Sequence, residues 1–275
     1  MIKKLLILLL LASVSWGQQT GIKPMLGTPF DISHPLSRGL VGRWLLNEGS
    51  GSKVYDVSGN GNHGTIMDSS WIPGLHGSAL SMLSPVVGSY IDCGSKASVL
   101  PSGQFTFTAW CRNVNDSGDW CLFSLAQGTL PYFALNKTGG QPLLYVEGGT
   151  YRYWDATAGN IMGDYKWHHV VLIYTGNITT CQLYIDGKLM TPGATGGTTA
   201  INAKTGLWVG RTTGNFYYCN LDEFSLYNRI LSASEVQQLY IDPFQMFKPS
   251  FDLYLMGGVV VPGVSGGQVI MIGEL

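Results

Sequence analysis

The stretch Phe105-Thr106-Phe107-Thr108-Ala109-Trp110-Cys111-Arg112 decides the fold class. In an extended chain Phe105, Phe107, Ala109 and Cys111 fall on one side, and Thr106, Thr108, Trp110 and Arg112 on the other. That period of two is the mark of a half-buried β-strand. Downstream, Trp167 to Tyr174 is nearly all apolar, as a central strand buried on both faces requires. Further strand-like runs are Gly39–Leu46, Ser89–Cys93, Leu143–Glu147, Cys181–Ile185, Gly206–Gly210 and Leu221–Tyr227. Asp186-Gly187, between Cys181–Ile185 and Lys188-Leu189-Met190, is a type I′ hairpin signal.

Composition agrees. Glycine takes 37 of 275 positions and aromatics 12%, which suits many short strands joined by tight turns. No strand–helix alternation appears, which excludes a Rossmann-type fold. The expected architecture is all-β: a two-sheet antiparallel sandwich with one short C-terminal helix. Ser232 caps that helix, Glu235 completes a capping box, and Leu231 and Val236 stand at the staple positions. Val236, Leu239 and Tyr240 give it an apolar face, and Pro243 stops it.

Lys and Arg number 16 against 17 Asp and Glu, with no strongly basic window. Nucleic acid is therefore not an expected partner, because phosphate binding needs clustered basic residues. Residues 1–17 read as a secretory signal: Lys3 and Lys4, an apolar run Leu5–Val14, then small residues before Gln18. The run is too short for a membrane span, so the expected location is extracellular, on a cell or virion surface. Residues 18–38 form a polar, proline-punctuated lead-in, 39–242 the main domain, and 243–275 an apolar, glycine-rich tail. The tail suits packing on the domain or on a protein partner. Of five cysteines, Cys111 and Cys121 are spaced to close a hairpin-like loop, while Cys111 equally suits a buried small apolar position.

Five segments, in order, resemble the laminin-G-like members of the concanavalin A-like lectin/glucanase superfamily. They are Gly39-Leu40-Val41-Gly42-Arg43-Trp44, Asp56-Val57-Ser58-Gly59-Asn60-Gly61-Asn62-His63-Gly64, Trp167-His168-His169-Val170-Val171, Leu183-Tyr184-Ile185-Asp186-Gly187-Lys188, and Leu221 to Ser232. The resemblance implies a jelly-roll of two antiparallel sheets over Gly39 to Tyr240. The lead-in and tail also look like those of phage and phage-like bacterial sequences.

Asp56, Asn60 and Asn62 put oxygen donors at close spacing among glycines, which suits a hard cation such as calcium. Asx-turns would use the same residues, and His63 reads as a turn residue. The resemblance adds Asp222, with backbone carbonyls near Glu48 and Gly49, to a calcium set. The glucanase branch carries its catalytic carboxylates as Glu-x-Asp-x-x-Glu or Glu-x-Asp-x-Glu, and neither string occurs here. Asp222 and Glu223 are adjacent, so a regular strand points them to opposite faces. Nor is there a Gly-x-Ser-x-Gly elbow. The expected function is therefore a lectin-like module without catalysis. A structural or adhesion protein of a phage particle or cell surface is the first alternative, and a divergent glycosidase using Glu147 or Glu223 the second.

Aromatic side chains cover the flat C–H faces of sugars. In Gly148-Gly149-Thr150-Tyr151-Arg152-Tyr153-Trp154-Asp155 a strand sets Tyr151 and Tyr153 on one face, with Arg152 and Trp154 opposite. Asp116 and Asp119 beside Trp120 form a second candidate. The competing reading for each ring is core packing between sheets.

Overall fold

The computed structural model describes residues 21–247, apart from 84–87, 95–102, 115–118, 126–131, 137–140, 147–149, 156–162, 198–200, 202–205, 213–214 and 217–218. The leader-like residues 1–17, Asp116, Glu147 and tail residues 248–275 therefore lie outside the described residues. The strands are β1 (Leu40–Trp44), β2 (Lys53–Val54), β3 (Gly64–Met67), β4 (Ser70–Pro73), β5 (Ser78–Met82), β6 (Tyr90–Asp92) and β7 (Gln104–Asn113). Then come β8 (Asp119–Leu125), β9 (Tyr132–Asn136), β10 (Pro142–Val146), β11 (Thr150–Trp154), β12 (Trp167–Thr175), β13 (Gln182–Ile185) and β14 (Lys188–Leu189). β15 (Pro192–Gly196), β16 (Leu207–Val209), β17 (Arg211–Thr212), β18 (Asn215–Phe216), β19 (Cys219–Tyr227) and the helix α1 (Ala233–Ile241) complete the set.

Eight strands form the first sheet, in the order β14-β13-β12-β7-β19-β5-β4 with β1 also on β19. Nine form the second, in the order β15-β11-β10-β9-β8-β16-β6-β3-β2, and β17 and β18 make a separate hairpin. The central pairs are antiparallel. The core lies between the sheets, with Phe105, Phe107 and Phe224 from the first facing Phe123, Phe133 and Trp154 from the second. Each such ring contributes roughly 1.5–3 kcal/mol by leaving water.

A second, smaller core forms on the outer face of the first sheet, where α1 and the lead-in lie. Val236 and Leu239 of α1 join Leu36, Val171, Ile173, Tyr227 and Met246 there. This explains the apolar run of β12: Val170, Leu172 and Tyr174 face the sandwich interior, while Val171 and Ile173 face the helix. The capping box is present, with the Glu235 N–H donating to Ser232 Oγ (3.3 Å) and the Ser232 N–H to Glu235 Oε2 (2.8 Å). Asp186 (φ 51°) and Gly187 (φ 75°) make the β13–β14 turn in the left-handed conformation that a type I′ hairpin requires.

Two expectations are corrected. Cys111 is a free, buried thiol, not half of a Cys111–Cys121 bridge. The reason is topological: β7 and β8 belong to opposite sheets and form no hairpin. Asp222 and Glu223 do not diverge. The β7–β19 register shifts between Asp222 and Phe224, so a bulge sets both residues against Trp110. Asp222 Oδ2 accepts the His76 N–H (3.1 Å), and Glu223 Oε1 lies 3.7 Å from His76 Nδ1.

Candidate functional site

Because α1 and the lead-in cover the first sheet, the outer face of the second sheet is where a ligand face can form. β11 supplies it by strict alternation, and β10 adds one position. Thr150, Arg152 and Trp154 are buried, and Tyr151 and Tyr153 are half-buried. Tyr145 is half-buried within the otherwise buried β10. The register aligns Tyr132, Tyr145 and Tyr151 in one row across β9, β10 and β11. The Tyr132 and Tyr145 rings stack with centroids 5.6 Å and planes 13° apart. Tyr153 meets Tyr151 edge to face at 5.3 Å. Four phenol rings thus share one face over three strands, and none of these four positions carries a formal charge.

Continued the other way, the same row passes through Ser124 and Trp208. Ser124 is buried and its hydroxyl donates to the Arg211 carbonyl (2.7 Å), which separates a second cluster from the tyrosines. There the Arg211 guanidinium lies 4.7 Å from the Tyr90 ring centre and 4.9 Å from that of Trp208. Such stacking is a cation–π arrangement.

Of the sequence candidates, Tyr151 and Tyr153 lie on this face. Trp154 is 0% exposed and belongs to the core between the sheets, so it has no surface for a ligand. Arg152 is buried on the same inner side, and its Nη1 donates to Thr195 Oγ1 (2.8 Å). Asp119 and Trp120 begin β8, opposite Asn136 and Leu135 of β9. Tyr90, Tyr145, Trp208 and Arg211 were not singled out from sequence. The signal for Tyr145 was present: it alternates with Leu144 and Val146, as Tyr151 does with Arg152.

The acidic Gly/Asn loop is wired to backbone. Asp56 Oδ1 accepts the N–H groups of Arg43 (3.0 Å) and Ser58 (2.9 Å), and Oδ2 accepts that of Asn62 (2.9 Å). The Asn60 amide donates to the Leu40 and Val41 carbonyls, and the Asn62 amide to Val41. His63 Nδ1 accepts the Asp56 N–H (3.1 Å). Glu48 Oε1 accepts the Tyr55 N–H (2.8 Å), and Gly49 is exposed. Both Asp56 oxygens accept N–H donors, and the Asn60 and Asn62 amide groups donate to carbonyls, so these side chains hold the loop onto β1. Among the described residues no group of three or more His, Cys, Asp or Glu side chains gathers to hold a metal.

Asp222 stands apart from this loop, in a buried charge cluster on the outer side of β19. It pairs with Lys23 of the lead-in. Beside it Glu223 Oε2 accepts from Arg43 Nη2 (2.6 Å), and Arg43 also donates to Ser225 Oγ (2.9 Å) and to the Pro243 carbonyl. Burial pushes the Glu223 carboxyl up to about 7 against the opposing pull of Arg43. Glu223 is 3% exposed, which removes it from any open cleft. His169, with Nε2 3.0 Å from Thr108 Oγ1, is held down to about 3 by burial. His168 bridges two carboxylates, with Nδ1 2.7 Å from Asp186 Oδ2 and Nε2 2.8 Å from Asp164 Oδ1.

A laminin-G family model, described as the concanavalin A-like lectin/glucanases superfamily, matches residues 87–237. No curated protein matches the chain by sequence. Among solved structures, the binding domain of Paraclostridial Mosquitocidal Protein 1 is similar with TM-score 0.59 and 20% identity, over 74% of this chain and 52% of that one. Domain 4 of an extracellular arabinanase from Geobacillus stearothermophilus, solved with arabinotriose, gives TM-score 0.58 and 18% identity over 73% of this chain and 98% of that one. A Trypanosoma rangeli sialidase in complex with sialic acid gives TM-score 0.51 and 17% identity over 76% of this chain and 34% of that one. The chain thus spans about half of the first and a third of the sialidase. At these identities the likeness is one of fold, and that fold occurs in binding domains and within a glycosidase.

Proposed function

We propose that this chain, which belongs to the concanavalin A-like lectin/glucanases superfamily, is an exported carbohydrate-binding module without catalysis of its own. The observation that carries the reading is the row of Tyr132, Tyr145 and Tyr151, with Tyr153 beside it, on the outer face of the second sheet. Half-buried phenol rings offer apolar faces for sugar C–H groups and hydroxyls for hydrogen bonds. The row crosses the strands, with neighbours roughly 4.8 Å apart, and so favours an extended saccharide over a single ring. The arabinotriose complex of a similar domain supports a linear oligosaccharide as ligand class. The buried state of Glu223 and the absence of the glucanase carboxylate strings support the non-catalytic reading. Export rests on the leader-like residues 1–17.

A glycan array probed with the full chain, in calcium and again in chelator, tests this. Binding to linear oligosaccharides in both arms is expected. A folded chain that binds no glycan in either arm contradicts the reading.

A second reading, docking to a protein partner through the tail, is favoured by one observation. Phe247, the last described residue, bridges Phe30 of the lead-in, and that lead-in exposes Ile22, Met25, Leu26 and Ile32. Deleting residues 248–275 would then abolish assembly, whereas sugar binding would survive it.

A further inference from the structure

We infer that the ammonium group of Lys23 is a built-in structural cation: it fills an oxygen cage made by Asp222, Leu46 and Ser78, and so fastens the lead-in to the sandwich without a metal ion. Three oxygens surround Nζ: Asp222 Oδ1, the Leu46 carbonyl at 3.2 Å and the Ser78 carbonyl. An ammonium carries three N–H donors and no acceptor, so each donor has one partner. Lys23 is 7% exposed and Asp222 0%, and a buried charge persists only when paired and hydrogen-bonded.

The cage is prepared by the backbone. Leu46 holds φ at 53°, a conformation that costs a bulky residue energy and persists only where its surroundings impose it. Its carbonyl accepts from both Lys23 Nζ and Ser78 Oγ (2.7 Å). A Cβ on Gly74 would stand 2.5 Å from Asp222 Oδ2, so the wall behind the carboxylate admits only glycine there. Asp222 also accepts the N–H groups of Glu223 on Oδ1 (2.8 Å) and of His76 on Oδ2 (3.1 Å). Calcium would need twice as many oxygens, or more, than the cage supplies. The three oxygens come from the loop after β1, from the start of β5 and from the bulge of β19, and the cation from a fourth place in the chain. Neighbouring bonds hold the same segment: Lys23 N–H to the His76 carbonyl (3.4 Å) and Asn47 Nδ2 to the Pro24 carbonyl (2.9 Å).

The test uses the full chain, calcium chloride, a chelator, and the variants Lys23→Met, Asp222→Asn and the two combined. The wild type should melt at the same temperature in calcium and in chelator and give no calcium-binding heat. Lys23→Met should melt lower by on the order of ten degrees. Calcium should recover none of that loss, because three oxygens are too few for it, whereas the added Asp222→Asn should recover part of it by removing the stranded buried charge. A wild type that binds calcium and loses it on Asp222→Asn overturns the inference. So does a Lys23→Met chain that melts like the wild type, or one whose stability calcium restores. Should Lys23→Met fail to fold, the wild-type titration with Asp222→Asn still decides.

Discussion

Asp222 and Glu223, adjacent in β19, both reach His76, because a bulge sets the pair against the single residue Trp110 of β7. The bulge lets two carboxylates serve two cations from different parts of the chain, Lys23 and Arg43. The outer side of the first sheet is thereby committed to holding the lead-in, the helix and the segment at Pro243. The outer face of the second sheet is the one we propose for recognition.

The Arg43–Glu223 pair is buried on both sides, with side chains 3% and 4% exposed. Removing one partner strands the other charge. Arg43→Met is therefore expected to cost about 3–5 kcal/mol in urea unfolding. A double Arg43→Met, Glu223→Leu chain should recover much of that loss. Equal destabilisation in the single and double variants would count against the pair.

His168 gives the stability a pH dependence. Burial opposes its charge, but the hydrogen bonds to Asp186 and Asp164 outweigh burial and raise its pKa above 6.5. Asp164 is pushed by burial the other way, yet its bonds to His168 and Lys166 bring it down to about 2. The raised histidine stabilises below its unfolded pKa of 6.5, and that contribution is lost as pH rises through the folded value. The lowered aspartate stabilises above 3.8, and its contribution is lost as pH falls toward 2. Melting temperature followed against pH should show both limbs, and His168→Gln should flatten the alkaline one.

Cys93, Cys111, Cys181 and Cys219 are buried and free. Burial pushes the thiols of Cys181 and Cys219 up to about 12, and those of Cys93 and Cys111 upward as well. The thiolate is the reactive form. These four should resist a thiol reagent in the native chain and react only on unfolding, as mass mapping after labelling would report. Labelling of Cys111 in the folded protein would contradict its place in the core.

The strands that the sequence revealed were those with strong alternation or long apolar runs, such as β7 and β12, and the helix was legible from Ser232 and Glu235. β2, β3, β4 and β5 were hidden because they are two to five residues long and carry polar or glycine positions. The bulge at Glu223 was illegible for a different reason. One extra residue changes which face a side chain takes, and only pairing with β7 reveals it. The tyrosine row was half legible. Period two placed Tyr151 and Tyr153, but Tyr132 and Tyr145 join them only through cross-strand register, which lies outside local sequence.

Trp154 and Tyr145 separate packing from recognition. Trp154→Ala empties a core position and is expected to cost about 3–5 kcal/mol. Tyr145→Ala on the outer face should cost about 1 kcal/mol or less. Chemical unfolding of the two variants checks the contrast.

The most direct measurement is titration of the full chain and its Tyr132→Ala, Tyr145→Ala and Tyr151→Ala variants with linear neutral oligosaccharides from the monosaccharide to the hexasaccharide. Affinity for the wild type should rise with chain length. Each variant should lose about tenfold or more on the longer ligands while melting close to the wild type. Variants that stay folded and bind every ligand as the wild type does would contradict the tyrosine face as the binding site.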